Sequence, residues 1–204
     1  VTSMMTAPVT GDVLLVWDDG NASTTVEVAA ATVVNVTLPV PVTGLWSFTQ
    51  PKLHTMRVEV NGGGVVERFG LREWSVVQDN GVSRLALNGQ VVKLTGYDHH
   101  MQWPDTAMSP TEEQLDQDIG LLTRASANFV RGGHYPQDQR WLDRLDEAGL
   151  AMWEEALGPG GKTKNIQDDD FMTQQLAPLD QMVAASINHA SILTWGFFNE
   201  GPSS

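Results

Sequence analysis

The chain has 204 residues, 12 Lys and Arg against 25 Asp and Glu, a net charge of −13 and no cysteine. That balance argues against duplex nucleic acid and anionic membrane surfaces as partners, and no apolar run reaches the roughly 20 residues of a spanning helix. Disulfides, thiolate zinc sites and cysteine nucleophiles are excluded, although the absence of Cys does not fix the compartment. The length fits one large domain or two small ones. The opening Val1-Thr2-Ser3-Met4-Met5 shows no signal peptide, and a start on Val rather than Met leaves the true N-terminus open.

Residues 1–73 read as strands. Asp12-Val13-Leu14-Leu15-Val16-Trp17 is a short apolar run closed by turn chemistry at Asp18-Asp19-Gly20-Asn21. Val26-Glu27-Val28 and Val33-Val34-Asn35-Val36-Thr37-Leu38 are rich in β-branched residues, and Pro39-Val40-Pro41 ends the pairing. From His54 to Val60 the residues alternate, with Met56, Val58 and Val60 on one side. Asn61-Gly62-Gly63-Gly64 then turns the chain into Val65-Val66-Glu67-Arg68-Phe69. Short strands with no helix between them predict an antiparallel, immunoglobulin-like β-sandwich.

Residues 74–204 change texture. Leu85-Ala86-Leu87 and Val91-Val92-Lys93-Leu94 flank the hairpin signal Asn88-Gly89. Ser109-Pro110-Thr111-Glu112 predicts a helix start with Ser109 as the cap, followed by Leu115, Ile119 and Leu122 on one face. Phe129-Val130-Arg131-Gly132 is a strand. Pro136 opens a second helix that carries Trp141, Leu142 and Leu145 and ends at Gly149. Leu150-Ala151-Met152-Trp153 is another strand. A third helix from near Asp170 carries Phe171, Leu176, Leu179 and Val183, with a kink or split expected at Pro178. Ile192-Leu193-Thr194-Trp195-Gly196-Phe197-Phe198 reads as a strand buried on both faces.

Alternating β and α units feed a parallel sheet, either doubly wound or a (β/α)₈ barrel. No Gly-rich dinucleotide fingerprint follows a strand. Polar clusters stand just past four successive strands: Asp98-His99-His100, Arg131 with His134, Glu154-Glu155, and Asn199-Glu200. On a barrel they would share one rim, where active sites lie, so the reading is the first half of a TIM barrel, four βα units.

Glu200, after an apolar strand, is placed where burial can make a carboxylate hold its proton; the alternative is a cap or ion-paired rim carboxylate. His134, between Gly132-Gly133 and Pro136, faces a ligand or serves as a loop histidine. Arg131 could orient a carboxylate or form a structural ion pair. Asp98-His99-His100 invites a metal, yet adjacent residues on an extended segment point opposite ways, so no metal ligand is assigned. The same alternation separates Glu154 from Glu155, whose expected use is a hydrogen-bonding brace. Of the tryptophans from position 74 onward, Trp103 is the candidate for stacking on a sugar, and Trp74, Trp141, Trp153 and Trp195 are expected in the core.

The ordered set Gly44-Leu45-Trp46-Ser47, Pro51-Lys52-Leu53-His54-Thr55-Met56, Phe69-Gly70-Leu71-Arg72, Leu87-Asn88-Gly89-Gln90, Gly96-Tyr97-Asp98-His99-His100, Val130-Arg131-Gly132-Gly133-His134-Tyr135-Pro136, Asp146-Glu147-Ala148-Gly149-Leu150, Asn188-His189-Ala190-Ser191-Ile192 and Trp195-Gly196-Phe197-Phe198-Asn199-Glu200 resembles glycoside hydrolase family 2. This group contains β-galactosidases, β-glucuronidases and β-mannosidases. The resemblance implies a retaining O-glycosyl hydrolase acting on a terminal β-linked sugar, with galactose preferred and a glucuronidase or other exo-glycosidase as the alternative. A non-catalytic carbohydrate-binding member is the reading from another class, and a metal-dependent barrel hydrolase is a third.

By the same resemblance Glu200 is the general acid/base and Asn199 binds the sugar 2-hydroxyl. His134 and His100 hydrogen-bond sugar hydroxyls, Asp98 stands where the family has Asn, and Arg131 braces the nucleophile. That nucleophile lies downstream of Ser204, and the sugar-binding sandwich that precedes the immunoglobulin-like domain is also missing. The chain therefore reads as a fragment that would be inactive and fold poorly alone, from a parent that could be oligomeric. Gly132-Gly133 replaces Thr-Ser or Cys-Ser, and Ala156-Leu157-Gly158-Pro159-Gly160 replaces a magnesium-binding run, so no cofactor and no magnesium requirement are expected.

Overall fold

The computed structural model describes residues 9–17, 20–29, 33–41, 43–61, 63–156, 167–197 and 199–200. The chain divides into two compact units, Val1–Gly44 with His54–Phe69, and Leu45–Leu53 with Gly70–Ser204. The expected turn residues Asp18, Asp19 and Gly62, the run Leu157, Gly158, Pro159 and Gly160, Phe198 and the first five residues lie outside the described residues. No helix among the described residues is long and apolar enough to cross a membrane.

In the first unit, strands β1 (Val9–Trp17), β2 (Gly20–Val28), β3 (His54–Val60) and β4 (Gly63–Phe69) form one antiparallel sheet in the order β2-β1-β3-β4. The alternation read in sequence sets which side chains are covered. Val13, Trp17 and Val28 are buried, while Thr55 and Arg57 are exposed. Residues 34–41 carry no strand, contrary to expectation. Pro39 and Pro41 lack the N–H groups a ladder needs, which accounts for the end of this segment and not for residues 34–38.

In the second unit, β5 (Trp74–Asp79), β6 (Val82–Leu87) and β7 (Gln90–Val91) make an antiparallel meander. Asn88 and Gly89 both take positive φ, 52° and 76°, as a two-residue hairpin turn requires. Asn88 also accepts from Glu73 N at 2.9 Å and donates to Trp46 O at 2.9 Å, so the turn is bonded to the fully buried Trp46.

A parallel sheet follows, built from β8 (Gly96–His99), β9 (Phe129–Gly132), β10 (Ala151–Glu155) and β11 (Ile192–Gly196), in the order β11-β10-β9-β8. Helices α1 (Glu112–Arg124), α2 (Gln139–Ala148) and α3 (Asp169–Ser186) lie in the successive connections. Leu115 and Leu122 of α1, Trp141, Leu142 and Leu145 of α2, and Val130, Met152 and Ile192 of the sheet form one buried cluster. Each such leucine contributes about 1.5–3 kcal/mol by leaving water.

The helix ends differ from the sequence reading in detail. The cap of α1 is Thr111 and not Ser109, because Gln114 can complete a reciprocal capping box two residues later, with Gln114 N–Thr111 Oγ1 at 3.2 Å and Thr111 N–Gln114 Oε1 at 2.9 Å. The cap of α2 is Asp138 and not the region of Pro136, since its carboxylate accepts from Arg140 N at 2.8 Å. Gly149 closes α2 at φ 70°, as expected.

Helix α3 runs unbroken through Pro178. Pro178 and Gln174, whose carbonyl the proline leaves without its donor, are both exposed, so water can satisfy the group. Leu176, read as inward, is 54% exposed. Strand β11 is also less covered than predicted: only Ile192 and Gly196 are buried, because it is an edge of the described sheet.

Candidate active site

Asp98, Arg131 and Trp153 are register partners across β8, β9 and β10, so their side chains stand in a row on one face. The intervening residues face the helices. His99 stacks on Trp141 at 4.5 Å and bonds Asp118 through Nε2 at 3.0 Å, whereas the exposed His100 meets the His134 ring edge-on at 5.0 Å. The opposed directions expected for His99 and His100 are therefore observed.

Arg131 is the hub. Its Nε and Nη2 donate to Glu155 Oε1 at 2.9 and 2.6 Å, and its Nη1 donates to both Asp98 oxygens at 3.0 and 2.9 Å. Nη2 also donates to Asn199 Oδ1 at 3.1 Å. Burial works against this guanidinium charge, but the bonds and charges of Glu155 and Asp98 outweigh it and hold Arg131 more firmly protonated than usual. Trp153 lies 5.7 Å from the guanidinium carbon in a cation–π contact.

His134 Nδ1 lies 2.8 Å from Glu155 Oε2 and 3.1 Å from Arg131 Nη2. It cannot donate to one and accept from the other at once. Donation to Glu155 is favoured, because that carboxylate is 1% exposed and Arg131 Nη2 already has two oxygen acceptors. The tautomer then leaves Nε2 for a ligand or water. Glu155 is thus a brace, gripping Arg131 with one oxygen and His134 with the other.

Asp98, Arg131, His134, His100 and Asn199 converge on this rim. Glu200 follows Asn199 at φ 50° and is exposed, with no ion pair among the described residues, so the burial expected around it is not observed. Trp103 is half-buried against the helix–sheet core and touches His99 edge-on at 6.2 Å. The ring open at the rim is Trp153, 36% exposed, which composition alone assigned to the core.

Other residues of the sequence pattern are scaffold. Trp46 Nε1 donates to Asp146 O at 2.8 Å. Asp146 accepts from Ser191 N at 2.7 Å and pairs with His189 Nδ1 at 2.7 Å, and Arg72 Nη2 donates to Ile192 O at 3.0 Å. These bonds hold the strand that leads to Asn199. Their sequence separation, 100 residues for Trp46 and Asp146, leaves no local signal.

The sequence profile of glycosyl hydrolases family 2, TIM barrel domain, matches residues 77–204. The chain belongs to glycosyl hydrolase family 2. A β-galactosidase of Alteromonas mediterranea is 30% identical over 178 residues, covering 82% of this chain and 17% of the relative. A β-glucuronidase of Bacteroides fragilis is 26% identical over 166 residues, covering 76% of this chain and 24% of the relative. The crystal structure of a family 2 β-galacturonidase from Eisenbergiella tayi bound to galacturonate superposes with a TM-score of 0.89 at 25% identity, over 99% of this chain and 37% of that one. This family 2 chain therefore spans less than a quarter of the length of the two curated relatives.

Proposed function

We propose that the chain supplies the acid/base side of the active site of a retaining β-glycosidase that removes terminal β-linked sugars, with a β-galactoside as the preferred substrate. The observation that carries this reading is the Arg131 hub, which brings Asp98, His134, Glu155 and Asn199 onto one rim. In this reading residues 1–73 belong to an immunoglobulin-like sandwich and residues 74–204 to the N-terminal half of the catalytic barrel. Glu200 protonates the glycosidic oxygen and Asn199 takes the 2-hydroxyl. His134, His100 and Asp98 bind ring hydroxyls, and Arg131 orders the charged groups around them.

Retention needs a second carboxylate about 5 Å from the acid. Glu155 and Asp98 both pair with Arg131, and the resemblance to family 2 implies that the nucleophile is a different carboxylate, at the end of a later barrel strand. A uronide substrate is the second reading, favoured by the likeness to the galacturonate-bound β-galacturonidase. The test is turnover of p-nitrophenyl β-galactoside, β-glucuronide and β-galacturonide by the full-length polypeptide, with the anomer of the first product read by NMR. Fastest turnover of the galactoside with a β product is expected. A uronide as the best substrate selects the second reading, and binding without turnover of any of the three overturns the enzymatic one.

A further inference from the structure

Strand β10 ends in two carboxylates that point to opposite faces, and both reach the loop after β9. Glu155 takes His134 on the rim face. Glu154, on the helix face, is 0% exposed, and its Oε1 accepts the Gln137 N–H at 2.9 Å. Glu154 Oε2 and the buried Gln137 Oε1 have no hydrogen-bond partner among the described residues. A carboxyl group with an unsatisfied oxygen is a costly filler for a position that an apolar side chain could occupy.

The loop itself is tightly defined. Gln137, 4% exposed, donates through Nε2 to Tyr135 O at 2.8 Å, the Tyr135 hydroxyl accepts from Met101 N at 3.0 Å, and Gly133 N donates to His99 O at 2.9 Å. A Cβ on Gly132 would come within 2.8 Å of Gln137 Cγ and 2.5 Å of Met152 Cε, so the loop leaves the strand directly against Gln137. Pro136 has no N–H, which makes the Gln137 amide the backbone donor between Tyr135 and the Asp138 cap.

We propose that Glu154 is a positioning residue: by holding the Gln137 amide it fixes the loop that presents His134, so that neighbouring carboxylates of β10 clamp that loop from both faces of the sheet. The proposal rests on the reading of His134 as a sugar-binding side chain. Burial pushes the Glu154 carboxyl up to about 7, with the Gln137 bond and the charge of His189 acting in the opposite direction. Near neutral pH the group therefore carries its proton for much of the time, and Oε1 still accepts.

The experiment compares Glu154→Gln, which keeps an acceptor oxygen, with Glu154→Leu, which removes it, in the full-length polypeptide with and without His134→Ala. Glu154→Leu should lower kcat/KM about 10- to 100-fold and Glu154→Gln by less than about threefold. With His134→Ala already present, Glu154→Leu should add less than about twofold, since it acts through the imidazole. An undiminished loss in the His134→Ala background overturns the proposal. A second readout needs no variant: in NMR spectra of the wild type, the Gln137 amide proton should exchange slowly and shift between about pH 6 and 8 as Glu154 titrates. An amide that exchanges like an open loop and does not move also overturns it. Absence of glycosidase activity in the wild type would instead defeat the functional reading and leave the NMR test of the Glu154–Gln137 tie in force.

Discussion

Glu154 and Glu155 are adjacent buried carboxylates with different partners. Glu155 is buried but bonded on both oxygens, to Arg131 at 2.6 Å and to His134 at 2.8 Å. Glu154 is buried with a single backbone donor, so its pKa rises from 4.5 to about 7. The unfolded chain ionises near the lower value, hence between the two pH values the folded protein keeps a proton that the unfolded one has lost. The stability associated with the neutral acid is fully present below pH 4.5 and is lost as pH rises through about 7, a change of about 3 kcal/mol. Thermal midpoints of the full-length Glu154→Gln variant should match the wild type near pH 4.5 and exceed it above pH 7. A constant difference across that range would mean that Glu154 does not titrate there. That the two side chains diverge was legible from strand alternation. Which of them meets Arg131 was not, because the decisive partner lies 24 residues away.

At the scale of elements, hydrophobic spacing identified the three helices and the parallel strands among the described residues, because apolar faces are a local property of the chain. Leu115, Ile119 and Leu122 on α1 and Trp141, Leu142 and Leu145 on α2 pack where that spacing puts them. The misplaced caps have a common cause: Ser109 and Pro136 carry generic start signals, and the geometry of a side chain reaching a specific backbone N–H chose Thr111 and Asp138 instead. Leu142 and Leu176 look equivalent in sequence, yet one is 0% and the other 54% exposed. Leu142→Ala should cost about 2–5 kcal/mol, and Leu176→Ala less than about 0.5 kcal/mol, in denaturant unfolding of the full-length polypeptide. Similar losses for both would mean that α3 buries Leu176 against another part of the protein. The exposure of β11 has the same kind of origin, since burial on both faces depends on what stands beside a strand.

Across the whole molecule, ordered motifs spread over the chain pointed to the family before any one residue could be assigned a role, and the match over residues 77–204 agrees. The site is less local. Asp98, Arg131, His134, Glu155 and Asn199 come from four strands or their ends, and only the parallel register aligns Asp98 with Arg131 and Arg131 with Trp153. Trp153 shows the limit of composition: a large aromatic ring reads as core, whereas the register sets it open on the rim. Among the described residues the parallel sheet has β8 and β11 as its edge strands. The central claim is that Glu200 is the acid/base of a retaining glycosidase. The most direct measurement is turnover by full-length Glu200→Gln of two β-glycosides, one with an alkyl and one with a dinitrophenyl leaving group. The account predicts a loss of at least about 100-fold on the alkyl glycoside, which needs the proton, and a far smaller loss in glycosyl transfer from the dinitrophenyl one. Equal losses on both would contradict it and make Glu200 a structural residue.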